Sequence, residues 1–351
     1  MKSLKTIWRQ VRHDARDRDN HGVLVQLLQI LALGVLHGIG PNYYLVAGFA
    51  SRRLPWKLKK SHRSAAGYHR WLSEVNPPAY RKISQNKLVE KSLLRLMQIP
   101  ATELLGYFHP RQGVDRAGGP LRSCSDFVAL LEGIDDASLV VKPLEGLGGA
   151  GVRVLDIDRS QTPPRLDDRS TGERFVLEAD FDLHGALFGA SEEGWLVERY
   201  FTQNPVLASL NNSSVNTIRI WVRRRNRSAP AQCIGGYLRI GRRGSVVDNQ
   251  SSGGLVCPID DASGVLGKAH AGIPERRLYA RHPDHDAQID GVTVPFWKEA
   301  RELATRTLEC FPEMYFSGLD VAIGPQGPVI VELNPSPDKE GAAFMQIVFP
   351  D

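Results

Sequence analysis

The chain has 351 residues, of which 42% are hydrophobic and 24% charged, and it carries a net charge of +5. That length is enough for a large core and two or three subdomains, and the composition is that of an ordinary soluble globular protein. The four cysteines (Cys124, Cys233, Cys257, Cys310) are scattered, with no C-x-x-C or Cys/His cluster. This argues against a zinc site or a disulfide framework and favours a reducing, cytoplasmic compartment.

Residues 1–80 read as mainly helical, with residues 1–20 charged and either frayed or amphipathic. The most apolar run, residues 23–36, is interrupted by Gln26 and Gln29. It is shorter than the roughly 20 apolar residues of a membrane span, so it predicts a buried helix. Its distance from the start and the acidic residues before it argue against a signal peptide. The segment RRLPWKLKKSHR, residues 52–63, carries six Lys/Arg and no acid. It reads either as a solvated helix or loop face or as a weak membrane-surface contact. No nucleic-acid-binding module is recognisable. SAAGYHRWLSEV predicts another helix, ended by Asn76-Pro77-Pro78.

ISQNKLVEKSLLRLMQI, from Ile83, has helical spacing; residues 107–122 read as a loop and residues 124–137 as a helix capped by Ser123 or Ser125. The next segment, LVVKPLEGLGGAGVRVLDID, spans residues 139–158. It contains a literal G-x-G-x-x-G at Gly146, Gly148 and Gly151, with Gly149 between them. The β-branched residues that follow do not open a helix, so a dinucleotide fingerprint is a poor reading. No Walker loop is present, and neither H-R-D nor D-F-G of a protein kinase occurs. What remains is a β-hairpin with Lys142 before a glycine loop. Glycines let backbone N–H groups approach phosphate oxygens, and Lys142 would supply a point charge. The plainer alternative is a glycine hairpin with a solvent-facing lysine.

Residues 159–172 are polar and proline-rich, hence a loop, and GWLVERYF (194–201) is a strand ending in a hinge. VNTIRIWVRRR alternates as a strand, with Val215, Thr217, Arg219 and Trp221 on one face and Asn216, Ile218 and Ile220 on the other. Arg219 is either a structural ion pair or a phosphate clamp. Further strands follow in CIGGYLRIGRRG and SGGLVCPID. Ser251-Ser252-Gly253-Gly254 offers backbone N–H groups for an oxyanion, or is only a turn. Residues 296–311 form an amphipathic helix.

GLDVAIGPQGPVIVELNPSPD, from Gly318, predicts a strand over 318–323, a turn over 324–327 and a strand over 329–333. Glu332 and Asn334, two residues apart, share a face that Asp320 can meet across the hairpin. Carboxylates within such apolar flanks need a reason to be there. Three hard oxygen ligands suit magnesium, which holds one or two carboxylates plus substrate phosphates.

A lysine before a glycine hairpin, a later V-E-x-[YF] segment and a terminal D…E-x-N, in this order, resemble the ATP-grasp superfamily. The resemblance extends over residues 38–351 to the sugar-transfer-associated ATP-grasp family, related to alpha-L-glutamate ligases, through GIGPNYYLV, NKLVEKSLLRLMQIP, VNTIRIWV, DNQSSGGLVCPID and GKAHAG. It implies an α+β fold of two lobes clasping ATP, with an N-terminal helical extension. On that basis residues 1–80 are the extension, 81–201 the first lobe with the glycine hairpin, and 202–351 the second lobe with the metal site. The resemblance places Lys87 and Lys142 on the nucleotide phosphates, Glu198, Arg199 and Tyr200 around the purine, and Arg219 on the γ-phosphate. The ribose-binding acid expected after the hinge is missing, with Asn204 or Asn211 as polar substitutes.

These parts predict ATP and two magnesium ions held by Asp320, Glu332 and Asn334. A carboxylate would take the γ-phosphoryl group, and an amine would then attack the acyl phosphate. The leading reading is an ADP-forming carboxylate–amine ligase acting on an amino acid or sugar acid in a polysaccharide or glycoconjugate pathway. The alternatives are a small-molecule kinase and a non-catalytic nucleotide-binding scaffold. His184 and His270 are candidate acid/base groups, and loops around 180–190, 248–256 and 336–346 would form the acceptor pocket. The sequence carries no sign of oligomeric state.

Overall fold

The computed structural model describes residues 4–146, 148–189, 193–271 and 277–345. Two seven-stranded sheets organise it. The first has β1 (Leu104–Phe108), β2 (Val114–Asp115), β3 (Ser138–Pro143), β4 (Arg153–Asp158), β5 (Arg165–Asp168), β6 (Arg174–Val176) and β7 (Trp195–Arg199), in the order β2-β1-β7-β3-β4-β5-β6. The second has β8 (Thr217–Arg223), β9 (Gln232–Ile240), β10 (Leu255–Pro258), β11 (Ala269–Ala271), β12 (Arg277–Tyr279), β13 (Phe316–Gly324) and β14 (Gly327–Asn334), in the order β12-β11-β10-β9-β8-β13-β14. Neighbouring strands run antiparallel, as in the pairs β1–β7, β3–β7, β8–β9, β8–β13 and β13–β14.

Alternation along each strand separates a core face from a cleft face. In the first sheet Leu139, Val141 and Val197 turn inward onto Phe127 and Leu131 of the helix Cys124–Glu132. That helix starts where the Ser123 hydroxyl accepts from the Asp126 N–H and the Asp126 carboxylate accepts from the Ser123 N–H. In the second sheet Ile218, Ile220 and Val222 pack with Leu303, Ala304 and Leu308 of the helix Trp297–Glu309.

The opposite face of the second sheet is divided. Trp221, Tyr237 and Phe316 lie under Tyr68, Trp71 and Leu72 of the helix Ala65–Val75. Thr217, Arg219, Arg239, Asp320 and Glu332 line the cleft instead, or pair with residues that do. Asn76 pins the helical region to this sheet. Its Nδ2 donates to the carbonyls of Phe316 and Pro335, both at 2.7 Å, and its Oδ1 accepts from the N–H groups of Tyr315 and Phe316. A fully buried amide with this many partners locks position rather than merely tolerating burial.

Leu94 and Ile99, in and after the helix Lys87–Leu96, are buried in the core of the second sheet. Three expectations are corrected. The stretches 107–122 and 159–172, expected as loops, contain the short strands β2 and β5. The helix expected over 124–137 stops at Glu132, capped by Gly133. The helix Val23–His37 is present but is buried on one side alone: Gln26 and Leu33 are inside, whereas Leu24, Leu28, Leu31 and Val35 are exposed.

Candidate active site

A cleft between the sheets, open to solvent, spans about 1050 Å³. Val140, Val154, Phe201, Ala322 and Val331 give it an apolar lining, and ionic groups gather elsewhere around it. An apolar nest with a few convergent polar groups is the usual form of a small-molecule site.

Lys142 comes from β3, on the face opposite Leu139 and Val141. Its Nζ lies 2.7 Å from Glu198 Oε1, and Lys91 Nζ lies 3.6 Å from the same oxygen. The Thr102 hydroxyl donates to Glu198 Oε2 at 2.9 Å. Lys91 also donates to Thr102 at 2.6 Å and to the Val331 carbonyl at 2.9 Å, which ties this cluster to β14. Burial by itself would raise the Glu198 carboxyl, but Lys142 and Lys91 overcome it and hold it below its ordinary value. Burial lowers Lys91, against the opposing pull of Glu198. Next to Lys91, Glu90 is pushed up to about 8 by burial, with Glu332 adding to the rise and Lys91 opposing it.

Lys87 Nζ donates to the Gly146 carbonyl at 3.3 Å, so the lysine and the glycine loop meet. Gly148, Gly149 and Gly151 have φ of +65°, +78° and +75°, the left-handed region that favours glycine. At Gly149 a Cβ would come within 2.7 Å of Asn249 Oδ1, so the loop lies directly against residues of the second lobe. Leu147 lies outside the described residues, as do residues 190, 272 and 346 of the other segments singled out in the sequence.

On the second sheet, Arg219 and Asp320 are cross-strand partners and form a short ion pair through Arg219 Nε and Asp320 Oδ1. Arg219 Nη2 lies 3.2 Å and Arg239 Nη2 2.7 Å from Asp320 Oδ2. Arg239 also donates to the Thr217 hydroxyl at 2.6 Å and faces Asp248 at 3.4 Å. Asp248 in turn accepts from the Thr217 N–H at 2.8 Å and its hydroxyl at 2.6 Å. Burial works against the charge of Asp320, yet the two arginines hold its carboxyl below the ordinary range. Burial likewise opposes the charge of Arg239, and Asp248 and Asp320 raise it above its ordinary value.

The hairpin β13–β14 sets Glu332 opposite Asp320 and Asn334 opposite Gly318. Asn334 Oδ1 accepts from the Ser336 N–H at 2.9 Å. Among the described residues no three His, Cys, Asp or Glu side chains gather as a metal cluster. The hairpin offers two carboxylates and an amide. A carboxylate has about four lone-pair sites, and the two guanidiniums take three of those on Asp320. One site on Oδ1 remains, with Glu332 across the hairpin. This donor set fits a magnesium ion that keeps several of its waters.

The purine-side residues divide. Glu198 faces the cleft with its carboxylate committed to the lysines. Arg199, one residue on, points to the other side of β7, where it pairs with Asp136 at 2.9 Å and Glu103 at 2.8 Å. Arg199 also lines the cleft, with its guanidinium held by these two carboxylates. Tyr200 lines the cleft edge beneath Arg169, 5.0 Å from its ring centroid. Asn204 caps the helix Pro205–Leu210, and Asn211 is buried with Ser214, so neither amide faces the cleft as a ribose ligand. His184 stacks against Phe108, and neither it nor His270 lines the cleft.

Sequence reasoning missed Lys91, Thr102, Arg239 and Asp248. Asp248 follows Val246-Val247, so the argument used for Asp320, a carboxylate in an apolar setting, would have found it. Arg239 sits in YLRI, as Arg219 sits in TIRI.

The sequence profile described as "Sugar-transfer associated ATP-grasp" matches residues 67–349, and the chain belongs to that family. A search of curated proteins finds no match. Among solved structures, the chain is similar to the N5-carboxyaminoimidazole synthetase of Staphylococcus aureus complexed with ADP, at 12% identity and a TM-score of 0.41, covering 76% of this chain and 51% of that one. For the N5-carboxyaminoimidazole ribonucleotide synthetase of Thermotoga maritima the values are 15% identity, a TM-score of 0.38, and 82% and 55% coverage. For the D-alanine-D-alanine ligase of Coxiella burnetii they are 10%, 0.35, 73% and 48%. The chain thus spans about half the length of these structures.

Proposed function

We propose that the chain is an ATP-dependent, ADP-forming carboxylate–amine ligase, working through an acyl phosphate on an amino acid or sugar acid of a polysaccharide or glycoconjugate pathway. One observation carries the reading. A single cleft joins an apolar nest, a glycine loop with left-handed backbone, Lys87 and Lys142, and a paired Asp320–Glu332 hairpin. The apolar residues take the base. The glycine N–H groups and the two lysines take phosphate oxygens. Arg219 and Arg239, held in place by Asp320 and Asp248, place fixed positive charge beside the transferring phosphoryl group. Magnesium, held by Glu332 with Asp320 and Asn334, would neutralise charge between the β- and γ-phosphates. The glycine loop, lying against Asn249, keeps water from the reactive acyl phosphate.

The test is nucleotide-product analysis with ATP, Mg²⁺ and pooled amino acids, sugar acids and amines, beside Glu332→Ala. The reading expects ADP and phosphate from the wild type only when both an acid and an amine are present, and neither from the variant. AMP and pyrophosphate would overturn it. A stable phosphorylated product with no amine requirement would identify a kinase. ATP binding without turnover of any pool would point to a nucleotide-binding scaffold.

A further inference from the structure

The helix Val23–His37 is apolar on both sides. Its inner side packs Leu33, with Ile30 and Val23, into the N-terminal core and carries two amides: Gln26 is buried and donates to the His21 carbonyl at 2.6 Å, and Gln29 Oε1 accepts from the Tyr44 hydroxyl at 2.9 Å and from Lys59 Nζ at 3.1 Å. Its outer side carries Leu24, Leu28, Leu31 and Val35, exposed by 71, 57, 62 and 75%. Their spacing of four, three and four residues makes one stripe, and the helix contains no charged residue. The outer side of a surface helix in a water-soluble protein is ordinarily polar. A contiguous apolar stripe of this kind marks a contact surface.

The surroundings indicate what covers it. Residues 1–63 contain twelve Lys/Arg and three Asp, so they carry +9 while the whole chain carries +5. The basic segment runs beside this helix: Arg52 N–H donates to the Asp19 carbonyl at 2.9 Å, Asn20 bridges Ser51, and buried Lys59 reaches Gln29. Arg52, Arg53, Lys57 and Lys60 are exposed, as are Trp8 and Trp56. A second copy of the chain would bring like charge against like. An anionic surface is complementary. At about 1.5 Å per residue, the 15-residue helix is about 22 Å long, short of the roughly 30 Å hydrocarbon core it would have to cross. No helix of the described residues is long and apolar enough to cross a membrane.

We propose that the helix Val23–His37 lies in the plane of an anionic bilayer leaflet, with Leu24, Leu28, Leu31 and Val35 among the acyl chains. Arg52, Arg53, Lys57 and Lys60 meet the lipid phosphates, and the exposed tryptophans sit at headgroup level. The inference rests on this helix and not on the chemistry of the cleft.

Vesicle flotation of the full chain tests it, with phosphatidylglycerol–phosphatidylcholine vesicles beside phosphatidylcholine alone. The wild type floats with the anionic vesicles and is partly released by high salt. The double variant Leu28→Glu, Leu31→Glu binds at least about tenfold more weakly, because it puts charge into the acyl region. Leu96→Glu, at an exposed leucine of another helix, floats as the wild type does. Unchanged melting temperatures show that the variants are folded. The proposal is overturned if the wild type stays unbound, if the double variant floats equally well, or if both vesicle types bind equally. A wild type that ignores vesicles but forms a dimer abolished by the double variant also overturns it, and makes the stripe a protein interface.

Discussion

Arg219 and Asp320 sit directly opposite each other on β8 and β13, and their side chains close an ion pair on the cleft face that Arg239 joins from β9. Asp320 is therefore shared by two buried guanidiniums, while Asp248 also faces Arg239. Asp320→Ala leaves both without their shared partner, and breaking a buried pair of this kind costs about 3–5 kcal/mol. Urea unfolding should show that loss as a lower midpoint, with Asp320→Asn losing less because it keeps an acceptor oxygen. An unchanged midpoint in Asp320→Ala would show that the pair contributes nothing to the fold.

Lys142 is the cleft-facing cation of the first lobe, oriented by Glu198 at 2.7 Å. Replacing it with methionine keeps the stem and removes a charge-assisted phosphate contact, so ATP affinity should fall by about tenfold or more. Calorimetric titration with ATP checks this. Wild-type affinity in Lys142→Met would remove the lysine from the phosphate site.

Gly149 and Gly172 have nearly the same positive φ, +78° and +75°, but different space around them. A Cβ at Gly149 meets Asn249 Oδ1 at 2.7 Å, whereas one at Gly172 meets nothing within 4 Å. Gly172→Ala should therefore show backbone strain alone, about 1 kcal/mol. Gly149→Ala should show that strain plus a displaced glycine loop, and so a weaker response to ATP. Thermal melts with and without ATP separate the two; an identical ATP response in both variants would show that the loop contact does not matter for the nucleotide.

His62 links the N-terminal helices to pH. Its Nδ1 lies 2.9 Å from the Tyr43 hydroxyl and its ring packs against Phe49. Burial, with Lys339 adding to it, lowers its pKa from 6.5 to about 4. The unfolded chain then binds the extra proton first, so stability is complete above pH 6.5 and declines as pH falls toward 4. The full loss is on the order of 3 kcal/mol for this shift. His62→Phe should flatten the stability curve across that window in chemical denaturation at stepped pH. A curve as steep as that of the wild type would assign the pH dependence to other groups.

Local chemistry was legible in the sequence wherever a pattern repeats over a few residues. The hairpin around Pro325, the two faces of the strand holding Arg219, and the Ser123 cap each depend on neighbours in the chain. Lys91 and Thr102 carry no local signal, since their role comes from Glu198, about a hundred residues away.

The sequence by itself determined the longer strands, the glycine loop and the carboxylate hairpin, because periodicity and turn chemistry act within the reach of one element, whereas the short strands β2 and β5 read as loops. Tertiary structure alone decided which charges pair and which face of an apolar helix turns outward. Arg239 joins Asp320 only through strand register. The run over residues 23–36 is apolar on nearly every side, so its periodicity could not name an inner face. In the folded chain Leu33 and Ile30 join the core on one side, and His21, Tyr44 and Lys59 supply the partners that Gln26 and Gln29 need there.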